Sequence, residues 1–369
     1  MINQLRKKLQ DYWAKYLLVL FNVEHIHGKR LVSYTRNELI VVSLVKNAEV
    51  QIHSFINHYI KLGVKHIVIL DNGSTDNTIS IASQFPQVSI YSCLLPFREY
   101  NLLMRKYLMR RFGRKNHWVL CVDADELFEY PNSDRIDLQT FLAYLNNGKY
   151  TTTVAYLLDM FPDQPITHTI PETTDLKDAY PYYDLTSITK TDYHNWYPYH
   201  GYTNQFIQKN KLENRLGNPE IKHYMGGIRA KIFDMPKVYL TKHPLMYLDG
   251  KTELVHQHFV NYASVADITC VLYHYKFVTG FQALVNDAVK NGQYWNDSME
   301  YRKYYEVLEK NPDICLKSSN ARKLGSVNDL VEQDFLQVTD NYLRWCNMHE
   351  EVLHRKNSTT GNVLGRITA

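Results

Sequence analysis

The sequence predicts an α/β fold, a doubly wound and mostly parallel sheet followed by a helical C-terminal extension. Three observations carry this. Strand-like and helix-like segments alternate four times between residues 38 and 123, the rhythm of stacked βαβ units. The strand-like segments are continuous apolar runs rather than alternating ones, as in parallel strands buried on both faces. Beyond residue 261 the apolar residues become spaced in a helical manner.

The elements follow in order. Residues 1–36 read as a basic, helical N-terminal extension: Arg6, Lys7 and Lys8 precede an apolar stretch, Tyr12 to Val23, interrupted by Lys15. That stretch is too short to span a bilayer, and no small-residue cleavage site follows it, so no secretory leader is expected. It can pack on the domain, the commoner outcome, or lie on a membrane surface. Glu38 to Val45 is the first buried strand. Residues 48–62 carry helical periodicity (Ile52, Phe55, Ile56, Tyr59, Ile60) and stop at Gly63. His66 to Leu70 is the second strand, ending in Asp71-Asn72-Gly73-Ser74-Thr75-Asp76, where Asp76 or Ser74 can cap the short helix that follows. Val88 to Tyr91 is the third strand, 99–113 a basic helix, and Trp118 to Val122 a fourth strand running into Asp123. Thr151 to Leu158 reads as a fifth.

Residues 161–220, rich in Pro, Tyr, Asp and Asn, read as an elaborated loop region over the sheet edge, and loops of such length tend to be functional. Many of the 29 tyrosines crowd there (Tyr180, Tyr182, Tyr183, Tyr193, Tyr197, Tyr199, Tyr202). Their rings suit sugar binding and a packed insertion equally. The main domain is thus expected over 37–260 and a helical region over 261–369, with helices at 262–291, 298–310 and 329–347.

Composition narrows the function classes. The formal charge of +4 suits anionic ligands or anionic lipid but is too small to argue for nucleic acid. The five cysteines are scattered, odd in number and without a CxxC pair. Zinc and a disulfide framework are therefore not expected, and a reducing, cytoplasmic compartment fits best. A peripheral position on the inner face of the membrane is compatible with this.

Open α/β sheets bind ligands at the carboxyl ends of strands, where neighbouring connections diverge. Two acidic clusters sit at such ends, Asp71 to Asp76 and Asp123-Ala124-Asp125-Glu126. The first offers acceptors for a base edge and ribose hydroxyls, on a turn that Gly73 lets bend tightly; a plain turn with a helix cap explains it as well. The second places three carboxylates directly after a buried strand, where their mutual repulsion must be offset by positive charge. A hard divalent cation, Mn²⁺ or Mg²⁺, does this with one or two carboxylates, waters and substrate phosphate oxygens.

Taken together, Val42 to Glu49, His58-Tyr59 with Leu62-Gly63-Val64, Asp71 to Asp76 and Trp118 to Glu126 resemble the family 2 glycosyltransferase-like group. These are GT-A enzymes of bacterial surface polysaccharide synthesis. Gly226-Gly227-Ile228-Arg229, Lys242-x-Pro244-Leu245, His256-x-His258 and Leu272-Tyr-His274-Tyr275-Lys276-Phe277 extend the resemblance, with gaps, over 38–310. It implies a GT-A sheet and a metal-dependent, inverting transfer of a sugar from a nucleoside-diphosphate sugar. A UDP-sugar is the first candidate donor, and a saccharide or lipid-linked glycan of capsule or lipopolysaccharide the acceptor. Lys46, Asn47, Glu49, Asp71 and Asn72 would border the nucleoside; Asp123, Ala124 and Asp125 would sit at the ribose and metal, with Asp125 the direct ligand. His274, or else His258, would complete the metal site, and Arg229, Lys242 and Lys276 would neutralise the diphosphate. An inverting reaction also needs a base. The usual acidic pair after the fifth strand is missing, which leaves Asp159 as first candidate and Asp163 and Asp184 as alternatives. Two other readings compete, a sugar-phosphate nucleotidyltransferase and a degenerate, non-catalytic carbohydrate-binding protein. The first would want a glycine-rich loop after the first strand, which Lys46-Asn47-Ala48-Glu49 lacks; the intact acids argue against the second.

Overall fold

The computed structural model describes residues 2–171, 175–194, 212–292 and 295–350. Helix α1 (Ile2–Phe21) leads into edge strand β1 (Glu24–His27). Strand β2 (Leu39–Val45), buried at every position, is followed by α2 (Glu49–Leu62), β3 (His66–Asp71), α3 (Thr78–Ala82), β4 (Val88–Ser92), α4 (Phe97–Phe112) and β5 (Trp118–Cys121). Then come β6 (Glu126–Glu129), α5 (Leu138–Asn147) and the buried β7 (Thr152–Asp159). Helix α2 ends as its sequence requires: Gly63, at φ 93°, takes the left-handed conformation that closes it.

Beyond these lie β8 (Arg215–Leu216), α6 (Ile228–Phe233), β9 (Thr241–Lys242), β10 (Leu245–Tyr247), β11 (Ser264–His274), α7 (Phe281–Asn291), α8 (Trp295–Lys310) and α9 (Val327–Glu332). The main sheet has the order β1-β4-β3-β2-β5-β10-β7-β11-β8, with β9 paired to β7 and β6 to β11, eleven strands in all. The pairs β2–β3, β3–β4, β2–β5, β7–β11 and β8–β11 are parallel, and β1, β6, β9 and β10 pair antiparallel to their neighbours. This mixed, mostly parallel sheet is consistent with a GT-A-like fold.

Two apolar layers cover the sheet. One gathers Phe55, Tyr59, Trp118, Phe141 and Tyr342 against the side of α2 and α5. The other joins Tyr16 and Val19 of α1 to Met104, Leu108 and Phe112 of α4 and the opposite side of β2, β3 and β5. A third cluster, with Phe277, Phe281, Tyr304 and Leu308, ties α7 and α8 to α6.

Several expectations change here. The N-terminal 1–36 is not wholly a helical extension, because β1 pairs with β4 at the sheet edge. Residues 264–274 form no helix: β11 lies deep in the sheet, parallel to β7. The boundary at 260/261 therefore falls inside the main body, and the expected helix 262–291 shrinks to 281–291. The expected helix 329–347 is split into α9 and a helix over 340–350. The five cysteines are all free thiols. Among the tyrosine-rich run, Tyr180, Tyr183 and Tyr193 are buried, so these pack rather than display their rings. Tyr197, Tyr199 and Tyr202 lie outside the described residues.

Candidate active site

The chain leaves β2 toward β3 and β4 on one side and returns on the other side as β5, so β2 and β5 mark a switch point. A cavity of about 440 Å³ opens at their carboxyl ends. Lys46, Asn47, Asn72, Asp123, Ala124 and Asp125 line it, together with Phe97 and Arg98 of α4, Leu284 of α7 and Tyr301 of α8. The last four were not singled out from the sequence, since each sits far along the chain from any acidic motif.

Glu49 and Asp71 do not line the cavity. The Asp71 carboxylate accepts the Gly73 and Ser74 amides of its own turn, and Glu49 accepts the Asn77 amide. The Asp76 and Ser74 side chains take up amides of the loop after β2: Asn47 N–H donates to Ser74 Oγ at 2.9 Å and Glu49 N–H to Asp76 Oδ2 at 3.1 Å. Ala48 N–H donates to Thr78 Oγ1 at 2.7 Å. Three successive amides are thus spent inside the protein. A loop that cradles a triphosphate needs such amides free, which weighs against the nucleotidyltransferase reading.

The acidic turn after β5 is braced from below. Tyr59 Oη donates to Glu126 O and accepts from Phe128 N–H, while the His58 ring bonds Phe128 O. The His58-Tyr59 pair is therefore a backbone clamp on the acidic loop.

Protein cations satisfy much of the acid cluster. Lys242, 1% exposed at its side chain, contacts Glu126 at 2.6 Å and Asp123 at 3.1 Å. Arg105, buried in α4, pairs with Asp123 Oδ1. Burial acts to raise the Asp123 carboxyl, but Arg105 and Lys242 outweigh it and hold it far below the ordinary carboxylate range. Burial wins at Glu126, which is pushed up. Lys242 is thus committed to the acids and is not a spare cation for phosphate. Arg105 was missed; its one sequence signal is a cation within the apolar run of α4.

Asp125 pairs with a histidine rather than with a lysine or arginine. Its Oδ2 lies 3.3 Å from His274 Nε2, and His274 Nδ1 meets Asp159 Oδ1 at 2.5 Å. Strand register sets this up: His274 is the partner of Asp159 across the parallel β7–β11 pair and of Glu126 across β6–β11. Tyr275 N–H also donates to Asp125 O. Asp159 Oδ2 accepts from Arg229 Nε at 2.8 Å. Burial opposes the charges here, yet Arg229 and His274 bring Asp159 down to about 2, and Asp125 and Asp159 bring His274 up to about 9. With both oxygens engaged and its proton affinity lowered, Asp159 is unsuited to be a base. Its geometry is that of a carboxylate fixing an imidazole tautomer.

The remaining candidates lie elsewhere. Asp184 is buried against Lys231, Thr186 and Ser318, and the exposed Asp163 faces Lys317 at 3.8 Å. Neither makes a contact with the acid cluster among the described residues. His258 makes no hydrogen bond or ion pair to it either, and its Nδ1 is buried without a hydrogen-bond partner. Arg229 Nη1 and Lys276 Nζ approach Glu300 of α8 at 3.6 and 3.5 Å, while Arg229 Nη2 is buried without a hydrogen-bond partner.

The donor set fits a divalent cation. Carboxylate oxygens of Asp123, Asp125 and Glu126 lie within 4.8 Å of one another. Glu126 is occupied by Lys242, and the Asp123 oxygens meet Arg105 and Lys242, so Asp125 and, once its Nε2 proton has left, His274 are the groups most open to an ion, with the part-exposed Asp123 beside them. An imidazole beside carboxylates favours Mn²⁺ over Mg²⁺.

No family model matches the sequence, and no curated protein does. Among solved structures, residues 1–349 of TarS from S. aureus match at 16% identity and a TM-score of 0.26, over 36% of this chain and 42% of that one. Glucosyl-3-phosphoglycerate synthase from Mycobacterium tuberculosis, solved with Mn²⁺, UDP and phosphoglyceric acid, matches at 16% identity and 0.22, over 36% of this chain and 51% of that one. HddC from Yersinia pseudotuberculosis matches at 9% identity and 0.29, over 73% of this chain and 98% of that one. The chain thus spans about half or less of the first two proteins. Likenesses at these scores carry no weight for function, which rests on the geometry above.

Proposed function

We propose that the protein is a metal-dependent glycosyltransferase that uses a nucleoside-diphosphate sugar. The observation that carries this is the Asp125–His274–Asp159 line at the rim of the switch-point cavity, where a carboxylate and an oriented imidazole converge beside Asp123. The loop around Lys46 and Asn47, with Asn72, Phe97, Arg98 and Tyr301, would hold the nucleoside. Mn²⁺ or Mg²⁺, held by Asp125, His274 Nε2 and Asp123, would supply positive charge to the diphosphate leaving group. Asp159 and Arg229 would hold the His274 ring in place, with Nδ1–H donated to Asp159, while Nε2, which faces Asp125, would give up its proton when an ion binds. Lys276, and the spare Nη2 of Arg229, would add charge at the leaving group.

In the transfer, an acceptor hydroxyl oxygen bonds to the anomeric carbon as the bond from that carbon to the diphosphate oxygen breaks, the hydroxyl proton passing to a base. Inversion, a UDP-sugar donor, a saccharide or lipid-linked glycan acceptor and a role in surface glycan synthesis belong to this reading through the sequence resemblance.

Turnover of UDP-, GDP- and CMP-sugars by the pure chain, with and without Mn²⁺, tests the proposal. Metal-dependent release of nucleotide from one donor, lost in Asp125→Asn, is the expected result. No release from any donor, together with no nucleotide binding, would leave the degenerate reading in its place.

A further inference from the structure

Helix α1 keeps one face on the protein and leaves another bare. Tyr16 and Val19 are buried against α4 and Tyr12 half-buried. On the neighbouring side, Trp13 is 53% exposed, Leu17 47%, Leu20 44% and Phe21 82%. Their spacing places these four on a single stripe of the helix. Isolated exposed apolar residues are ordinary, but a tryptophan, two leucines and a phenylalanine in one stripe form the kind of patch that marks an interaction surface.

Charge says what covers it. The helix carries Arg6, Lys7 and Lys8 ahead of the stripe against a single acid, Asp11, while Lys15 turns to α4 and lies over the Tyr100 ring at 5.7 Å. Arg110 of α4 lies over the Tyr16 ring at 5.2 Å, and Arg110 and Arg111 are exposed, as are Lys29 and Arg30 beyond β1. A second copy meeting this face about a two-fold axis would set these cations against themselves. An anionic lipid surface accepts both the apolar stripe and the surrounding positive charge. No described helix is long and apolar enough to cross a membrane, so α1 would lie in the interface rather than span it.

We propose that α1 docks the protein on anionic bilayers through Trp13, Leu17, Leu20 and Phe21. None of these residues lines the cavity at the carboxyl ends of β2 and β5, so docking stands or falls apart from the transfer reading.

Flotation of the full chain with vesicles of phosphatidylcholine alone, or with about 30% phosphatidylglycerol, reads this directly. The chain is expected to float with the anionic vesicles only, to be released by salt, and to show a blue shift of Trp13 emission. The variant Trp13→Ser/Leu17→Ser/Phe21→Ser should bind roughly tenfold or more weakly. Its thermal midpoint and Mn²⁺-dependent nucleotide binding, measured alongside, should match wild type, since the replaced side chains are exposed. Lys7→Ala/Lys8→Ala should weaken binding without altering the fold. A wild type that stays with the soluble fraction, or a triple variant that floats equally well, overturns the proposal. So does a dimer in solution that the same three substitutions dissociate, which would assign the stripe to a second copy.

Discussion

At the scale of single residues, the site is a set of buried charges whose partners decide what each can do. Lys242 faces Glu126 and Asp123 almost without solvent, so Lys242→Met leaves a buried carboxylate uncompensated. It is expected to cost about 3–5 kcal/mol, read as a lower urea midpoint. Adding Glu126→Gln should recover much of the loss, because removing both charges is far cheaper than removing one. Asp159 has a different task. Asp159→Asn removes the carboxylate that orients His274, so Mn²⁺ affinity should fall about 10–100-fold with the fold retained, measured by metal titration. Unchanged Mn²⁺ affinity in that variant would remove Asp159 from the site's account. The acids after β5 were legible from sequence because a run of like charge after a buried strand has no packing explanation. Arg105 and Glu300 were not, because each acts through a partner distant in sequence.

At the scale of elements, the turn before α6 links backbone to chemistry. Gly227 stands at φ 65°, ψ −146°, a region open in practice to glycine alone, and α6 carries Arg229 two residues on. Gly227→Ala should cost about 1–3 kcal/mol and lower turnover as well, through the displaced Arg229. Loss of stability with turnover fully intact would separate the turn from the site. The parallel β2, β3, β4, β5 and β7 were readable from their continuous apolar runs. Strand β11 was not. Its sequence, Ser264-Val-Ala-Asp-Ile-Thr-Cys-Val-Leu-Tyr-His274, is buried from Val265 onward, so it lacks the period of two that marks a half-exposed strand, and its eleven residues suit a helix equally. The loop after β2 was read as nucleoside-facing throughout, yet the structure divides it: Lys46 and Asn47 face the cavity, and Glu49 knots the loop to the turn after β3.

At the scale of the whole molecule, buried histidines link stability to pH. His223 and His243 are 0% and 2% exposed. Burial lowers them to about 3 and about 4, below the unfolded value of about 6.5. Both are neutral above that value, where their contribution to stability is complete. As pH falls below it the unfolded chain takes up protons first, so stability should decline by roughly 1.4 kcal/mol per pH unit for each histidine until the folded-state values are reached. Urea midpoints at about pH 7 and about pH 5 check this, and equal midpoints would contradict it. The proposed function requires Asp125 and His274 together to hold a divalent cation against a nucleoside diphosphate. Calorimetric titration of UDP into the full chain, with and without Mn²⁺, tests it most directly. UDP should bind only with Mn²⁺ present, and Asp125→Asn should bind neither; UDP binding that ignores the metal, or survives that substitution unchanged, would contradict the proposed function.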